Sequence, residues 1–416
     1  MGGFPTTIGE AIEWLSAYGG EADGGVTRTL YSKPWQEAQH ALKEWMEQLG
    51  LAVKFDAIGN LFGRLVARDA HAPTILIGSH VDTVKSGGKY DGAYGVLAAI
   101  LAIDQLNQKD GQPDVNLEVV SFCEEEGSRF PLACWGSGMI TGVYSFQNIV
   151  GVNDSDGITF ADAMTQAGFG TTHPAEVRRK DIDTFLELHI EQGPSLEKQG
   201  KSIGVVQTIV GQKRYRIMIK GESNHAGTTM MKWRRDPLHG AVSMIEALYE
   251  MAKEFDEDLV TTVGQVSVEP NVPNVIPSQV VFTVDVRHPT ESVLVSFCEG
   301  ISRRFREIST QRELDYEMEL WHEVAPVQMD RNLNEVIQTI CTNHHLPYQL
   351  MNSGAGHDAQ LFAPICPTTI VFVPSQAGIS HSPLEFTSSK DLEAGLCVLT
   401  ELVKQLAYKK QGGVVL

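Results

Sequence analysis

Nothing in this 416-residue sequence approaches the roughly 18 consecutive apolar residues needed to span a bilayer. Its start, MGGFPTTIGEAIEWL, lacks the basic region, long apolar core and cleavage site of a secretory signal. The six cysteines (123, 134, 298, 341, 366 and 397) show no CxxC spacing. That excludes an obvious disulfide frame and suggests buried thiols in a reducing compartment, so the expected location is the cytoplasm. Basic residues are outnumbered, 33 Lys and Arg against 52 Asp and Glu, for a formal charge of −19. Nucleic acid and anionic membranes both call for a basic footprint and are not expected partners. Solubility alone accounts for much of the acidic excess. Repeats, low-complexity tracts and Pro/Ser-rich linkers are absent too. What remains, 42% hydrophobic and 20% charged, is ordinary globular composition. The length suits two domains, or one large domain carrying an insertion.

Periodicity divides the chain. Apolar β-runs alternate with helical stretches: TILIG (74–78), GVLAAILAIDQL (95–106), LEVVSF (117–122), FLELHI (185–190). Continuous apolar strands separated by helices predict an α/β layer, a mixed and mostly parallel sheet with helices on both faces. From 211 to 325 the pattern changes. RYRIMIKGE alternates as a half-exposed strand, and DPLHGAVSMIEALYEMAKEF has helical spacing. TTVGQVSVEP and SQVVFTVDVRH read as two strands, followed by the helix TESVLVSFCEGISRRF and the strand LDYEMELWHE. The order β-α-β-β-α-β is that of a ferredoxin-like α+β unit. The helix NEVIQTICTNHH and the strand TTIVFVP then return to the first pattern. The expected domains are therefore 1–210 and 326–416 together, with 211–325 inserted.

Ligands of open α/β sheets collect beyond the carboxyl ends of the strands. Just past the expected strands stand His80 and Asp82 in SHVDTV, Asp91 in GGKYDGAYG, and Glu124, Glu125 and Glu126 before a glycine. In FLELHIEQG, Glu187, His189 and Glu191 share one face, and His381 lies in SQAGISHSP. Imidazoles and carboxylates on one rim suit zinc, manganese, cobalt or nickel. Three histidines, one aspartate and one glutamate can bind two ions if Asp91 bridges them, at about 3.5–4 Å apart as in two-metal hydrolases. Each element also has a plain reading. A strand-end histidine is commonly a satisfied polar residue, a Gly-flanked aspartate is turn chemistry, and a glutamate triplet is a solvated strand end. Their order along the chain favours the metal site.

These blocks, with GESNHAGTT, SGAGHDA and SHSP, resemble the signature segments of the hydantoinase/carbamoylase family of dinuclear aminoacylase and carboxypeptidase metallohydrolases. The likeness runs from GGVTR at 24–28 to the last helix. Position by position, it implies that His80, Asp91 and His189 bind one ion and Asp91, Glu126 and His381 the other. It makes Glu125 the general base and Asp82 the carboxylate that fixes the His80 tautomer. Glu124 receives no role and is read as solvated. His225 is the implied oxyanion group. Arg287 and Asn274 are the implied grip on a substrate carboxylate, with Gly356 and His357 completing the pocket. Taken singly, His225 would be a turn histidine and Arg287 a surface ion pair.

The family cuts a ureido C–N bond beside a carboxylate. IVGQKRYR at 209–216 is similar to the branch that acts on allantoate, where polar Gln212 would read a second ureido group. Met230 departs from the family, which places proline after this HAGTT block. The implied reaction is allantoate to ureidoglycine, ammonia and carbon dioxide. The alternatives are release of an L-amino acid or β-alanine from its N-carbamoyl form, and, from another class, a non-catalytic small-molecule binder. The resemblance further implies that the inserted domain is a lid and a homodimer contact. Manganese is the implied metal, with zinc, cobalt and nickel compatible. Whether His225, Asn274 and Arg287 serve their own subunit or a partner stays open from sequence.

Overall fold

The computed structural model describes residues 3–170 and 177–408. The chain forms two compact units, Met1–Gln207 with Gln328–Leu416, and Thr208–Val327.

The first unit is built on a mixed sheet whose centre is parallel. Four neighbouring strands run in the spatial order Asn116–Phe122, Thr74–His80, Ile182–Ile190 and Thr368–Val373. Antiparallel strands flank them, Leu61–Leu65 and Ala52–Phe55 on one side and Ile203–Ile209 on the other. TILIGSH and NLEVVSF are buried at every position. Successive strand residues point to opposite faces, so complete burial requires cover on both sides. The expected fold class is the one observed.

Helix Ala93–Asp110 buries twelve of its 18 residues, many of them alanines, and packs on strand Thr74–His80 and on helix Ser389–Ala407. Small side chains let the helix lie close to the sheet. At Gly95 the approach is so tight that an added methyl would overlap the Leu188 carbonyl and crowd Ser79 Cβ.

The second unit is an antiparallel sheet in the spatial order Val266–Glu269, Gln279–His288, Gly211–Lys220 and Asp315–Val324. Helices Pro237–Phe255 and Glu291–Gln311 pack on it. This is the β-α-β-β-α-β order. Strand Gln279–His288 alternates half-buried and buried positions, and its buried set joins Ile217, Ile219, Phe297 and Phe305 in one core. TTVGQVSVEP is not one strand but two short ones, Val260–Thr262 and Val266–Glu269, both paired with Gln279–His288. Gly264 lies in the gap, and a glycine offers a strand interior no side chain to pack. A small extra ladder joins Asn224–His225 to Val275–Ile276.

All six cysteines are free thiols, and five of them are buried. No described helix is long and apolar enough to cross a membrane. Overpacking a tight contact typically costs about 1–3 kcal/mol. Gly95→Ala is therefore expected to lower the denaturant midpoint of the first unit, and an unchanged midpoint would contradict the close approach.

Candidate active site

The carboxyl ends of the four parallel strands gather the predicted residues. His80 ends its strand, and His189 is the last residue but one of Ile182–Ile190. Glu124 to Glu126 follow Asn116–Phe122, and His381 lies in the loop after Thr368–Val373. Asp91 occupies the turn that leads into helix Ala93–Asp110, next to the cap residue Gly92 at φ 62°. A methyl group at Gly92 would overlap the His80 imidazole. Both the backbone angle and the lack of space call for glycine here.

Asp91 divides its two oxygens between two sets of imidazoles. Oδ1 lies 3.1 Å from His189 Nε2 and 3.7 Å from His80 Nε2. Oδ2 lies 3.2 Å from His381 Nε2, which is also 3.4 Å from Glu126 Oε2. Two donor triplets result, His80/Asp91/His189 and Asp91/Glu126/His381, each with its atoms within 4.8 Å of one another. Glu125 belongs to neither. Its Oε2 stands 3.7 Å from His80 Nε2, and its side chain is 13% exposed.

Main-chain carbonyls orient the two buried rings. His80 Nδ1 is 3.0 Å from the Asp82 carbonyl oxygen, and His189 Nδ1 is 2.9 Å from that of Ile190. A carbonyl only accepts, so Nδ1 donates in both rings and Nε2 is the atom turned toward Asp91. The Asp82 carboxylate, expected to fix the His80 tautomer, is 3.7 Å from Nδ1 and accepts from Glu126 N at 3.1 Å instead. Asp82 thus holds His80 through its backbone and the Glu126 turn through its side chain.

The charges suit cations. Burial, then repulsion from Glu126 and Asp358, pushes the Glu125 carboxyl well above the usual range. Burial followed by Asp91 and Asp82 does the same to Glu126. Burial would also raise Asp91, but hydrogen bonds from His189 and His381 outweigh it and hold this carboxyl well below its ordinary value. Buried Asp82 Oδ1 has no hydrogen-bond partner among the described residues. A pocket so rich in carboxylates and convergent imidazole nitrogens is short of positive charge. Its nitrogen and oxygen donors are those of borderline and hard divalent ions. The residues present fit a pair of such ions sharing Asp91.

A third triplet, Glu187/His189/His357, also meets the distance test. Its members are already engaged. Glu187 accepts from Ser79 Oγ at 2.7 Å and Ala359 N at 3.0 Å, while both His189 nitrogens face other partners. His357, suggested as a substrate contact, is buried, with its ring 4.6 Å from that of His189 and its Nε2 3.0 Å from Ser353 Oγ. Gly356, its neighbour, is exposed.

Glu124 corrects the sequence reading. It is fully buried rather than solvated. Residues 134–136 fold back over this turn, donating main-chain bonds to the carbonyls of Glu125, Glu124 and Cys123. Its φ of 54° turns the side chain inward, where Oε1 accepts from Arg129 N and Phe130 N. Burial and the nearby Asp82 push its pKa to about 8.

Within the second unit the predicted substrate residues fall into two pairs. Arg287 and Gln212 are register partners on adjacent strands, and both donate to Asp285, as does Arg214. Exposed His225 pairs with Val275 in the small ladder, and the Asn274 carbonyl accepts from Ala226 N at 3.0 Å. Three further residues join the metal cluster that sequence reading did not single out. Gln192 and Ser380 contact Asp91 Oδ2 at 2.9 and 3.2 Å, and buried Glu385 accepts from the Asp91 main chain. Gln192 and Ser380 stand inside quoted motifs beside His189 and His381, so proximity in sequence was their only signal. Glu385 offered none.

Residues 76–405 match the peptidase family M20/M25/M40. The chain belongs to that family. It is 46% identical over 402 residues to an allantoate amidohydrolase of Bacillus subtilis (strain 168), covering 97% of this chain and 98% of that one. It is 44% identical over 407 residues to an allantoate amidohydrolase of Escherichia coli (strain K12), covering 98% and 99%. Among solved structures, an amidase of the hydantoinase/carbamoylase family from Burkholderia multivorans aligns with a TM-score of 0.92 at 33% identity over 97% of both chains. The resemblance read from the signature segments is borne out, and this is a metal-dependent hydrolase with a dinuclear metal site.

Gly92→Ala should displace the His80 ring. Metal affinity is expected to fall by at least roughly tenfold, the scale seen when the support of a ligand is lost. Calorimetric titration of stripped protein with Mn2+ measures it, and wild-type affinity would refute the steric argument.

Proposed function

We propose that the protein hydrolyses allantoate at one ureido C–N bond, giving ureidoglycine, ammonia and carbon dioxide. The observation that carries this reading is the pair of donor triplets sharing Asp91, with the carboxylate of Glu125, a member of neither, beside them. Near-full-length identity of 44–46% to two allantoate amidohydrolases supports the substrate. In this reading His80, Asp91 and His189 hold one ion, and Asp91, Glu126 and His381 the other. Manganese is the ion we favour, as the resemblance to the allantoate branch implies; the donors themselves suit zinc, cobalt and nickel equally. When bound, the ions supply Lewis acidity and lower the pKa of the attacking water.

The chain's own groups do the rest. Glu125 accepts the proton of the attacking water and returns it to the departing nitrogen, a service worth about 10²–10⁴-fold. His80 and His189 keep Nε2 available because carbonyls occupy Nδ1. His225 stabilises the developing oxyanion. Arg287 and Asn274 grip the carboxylate, Gln212 reads the second ureido arm, and Gly356 and His357 complete the pocket. The second unit then acts as lid and as the contact of a homodimer. Its edge strand Asp315–Val324 exposes Leu320 and Trp321, apolar side chains that a partner copy would cover.

Purified protein with Mn2+ should release ammonia from allantoate far faster than from N-carbamoyl-L-methionine or N-carbamoyl-β-alanine. Release from only the carbamoyl amino acids would overturn the substrate and favour the alternative activity of the hydantoinase/carbamoylase family. Chelation should abolish turnover and Mn2+ restore it. Glu125→Gln should keep both ions while kcat drops by about 10²–10⁴-fold; undiminished kcat would remove Glu125 from the base role.

A further inference from the structure

The two donor triplets come from loops that strand pairing does not fix to each other. Asp91 lies in the turn before helix Ala93–Asp110, and His381 in the loop after Thr368–Val373. Gln192 and Ser380 reach across at the Asp91 carboxylate, and a third side chain, Glu385, ties the Asp91 main chain to the His381 loop. Glu385, 4% exposed, accepts through Oε1 from Tyr90 N at 3.0 Å and Asp91 N at 3.1 Å. Through Oε2 it accepts from Ser380 Oγ at 2.7 Å, one residue before His381. That hydroxyl is also 3.2 Å from Asp91 Oδ2, so the two loops meet at both ends of the carboxylates. An independent feature marks the same contact. Gly88, in the turn GGKYDG, lies so close that any Cβ there would run into the Glu385 carboxyl.

From this geometry we infer that Glu385 is the positioning residue that sets the Asp91 turn against the His381 loop, so that one carboxylate can serve both ions. It is a member of neither donor triplet. It acts through the main chain of residues 90–91 and through Ser380. The His80/Asp91/His189 triplet has its own supports in the Asp82 and Ile190 carbonyls. The Asp91/Glu126/His381 triplet depends on the two loops staying in register. Asp91 is common to both triplets, but the first keeps His80 and His189 on their strands while the second loses the register of Asp91 against His381, so loss of Glu385 weakens the second ion more than the first. A merely structural role would lower stability without distinguishing the ions.

The inference rests on the dinuclear reading, and its test keeps the two apart. Full-length protein is stripped with a chelator and titrated with Mn2+ alone, with metal per chain and both affinities read by elemental analysis and calorimetry. Wild type is expected to take up two ions; uptake of fewer would overturn the dinuclear reading itself. Glu385→Ala should keep one ion at near wild-type affinity and bind the other roughly 10–100-fold more weakly. Glu385→Gln retains an acceptor for the two N–H groups and should fall between. Gly88→Ala displaces the carboxylate without removing it and should reproduce the selective loss. Co2+-loaded protein should show the same selectivity as a change in half of its visible absorption. Equal weakening of both ions, or of neither, in variants whose circular dichroism matches wild type overturns the proposal. Should Glu385→Ala not fold, Glu385→Gln and Gly88→Ala decide it by the same criterion.

Discussion

The site depends on one carboxylate satisfying two partners at once. Asp91 directs Oδ1 to His189 and His80 and Oδ2 to His381. Because both oxygens are committed, a rotation that improves one side damages the other. The turn that carries Asp91 must therefore be held more rigidly than an ordinary surface turn. Gly92 leaves the space that the His80 ring occupies, and Gln192 and Ser380 contact Oδ2. This is an electrostatic requirement imposed on a loop, and packing alone would not meet it.

Much of that rigidity comes from backbone rather than from side chains. The imidazoles of His80 and His189 are each oriented by a carbonyl close by in sequence. The three-glutamate turn is closed by main-chain bonds from residues 134–136. Backbone groups cannot be substituted away, so such supports keep a ligand geometry stable while surrounding side chains vary. The parallel strands contribute in the same manner: their shared direction delivers four chain ends to one rim, where convergent donors can meet.

Particular residues show where the sequence was legible. Unbroken apolar runs such as TILIGSH and NLEVVSF revealed the covered sheet, and the β-α-β-β-α-β order revealed the inserted unit, because burial leaves a pattern in composition. The ligand candidates were visible as histidines and acids just past strand ends. Glu124 was misread because its inward turn requires a left-handed φ, and glutamate seldom signals one. The Asp82 carbonyl contact with His80, closer than its carboxylate, was not legible, since backbone acceptors carry no side-chain signature. Glu385 was invisible because two of its partners, Tyr90 and Asp91, lie nearly the whole chain away. The strand break at Gly264 could have been anticipated from glycine's poor packing.

Asp285 shapes the charge of its strand pair in the second unit. It receives donors from Arg287, Arg214 and Gln212, and these hold its carboxyl below the ordinary range against the opposing effect of burial. An internal counter-ion of this kind keeps the guanidinium fork aligned in advance while cancelling much of its long-range pull. Of the two guanidinium charges, one is balanced by this carboxylate. For the carboxylate grip proposed above, the consequence is that an incoming acid must displace or share donors already aligned on Asp285, so fit counts beside charge.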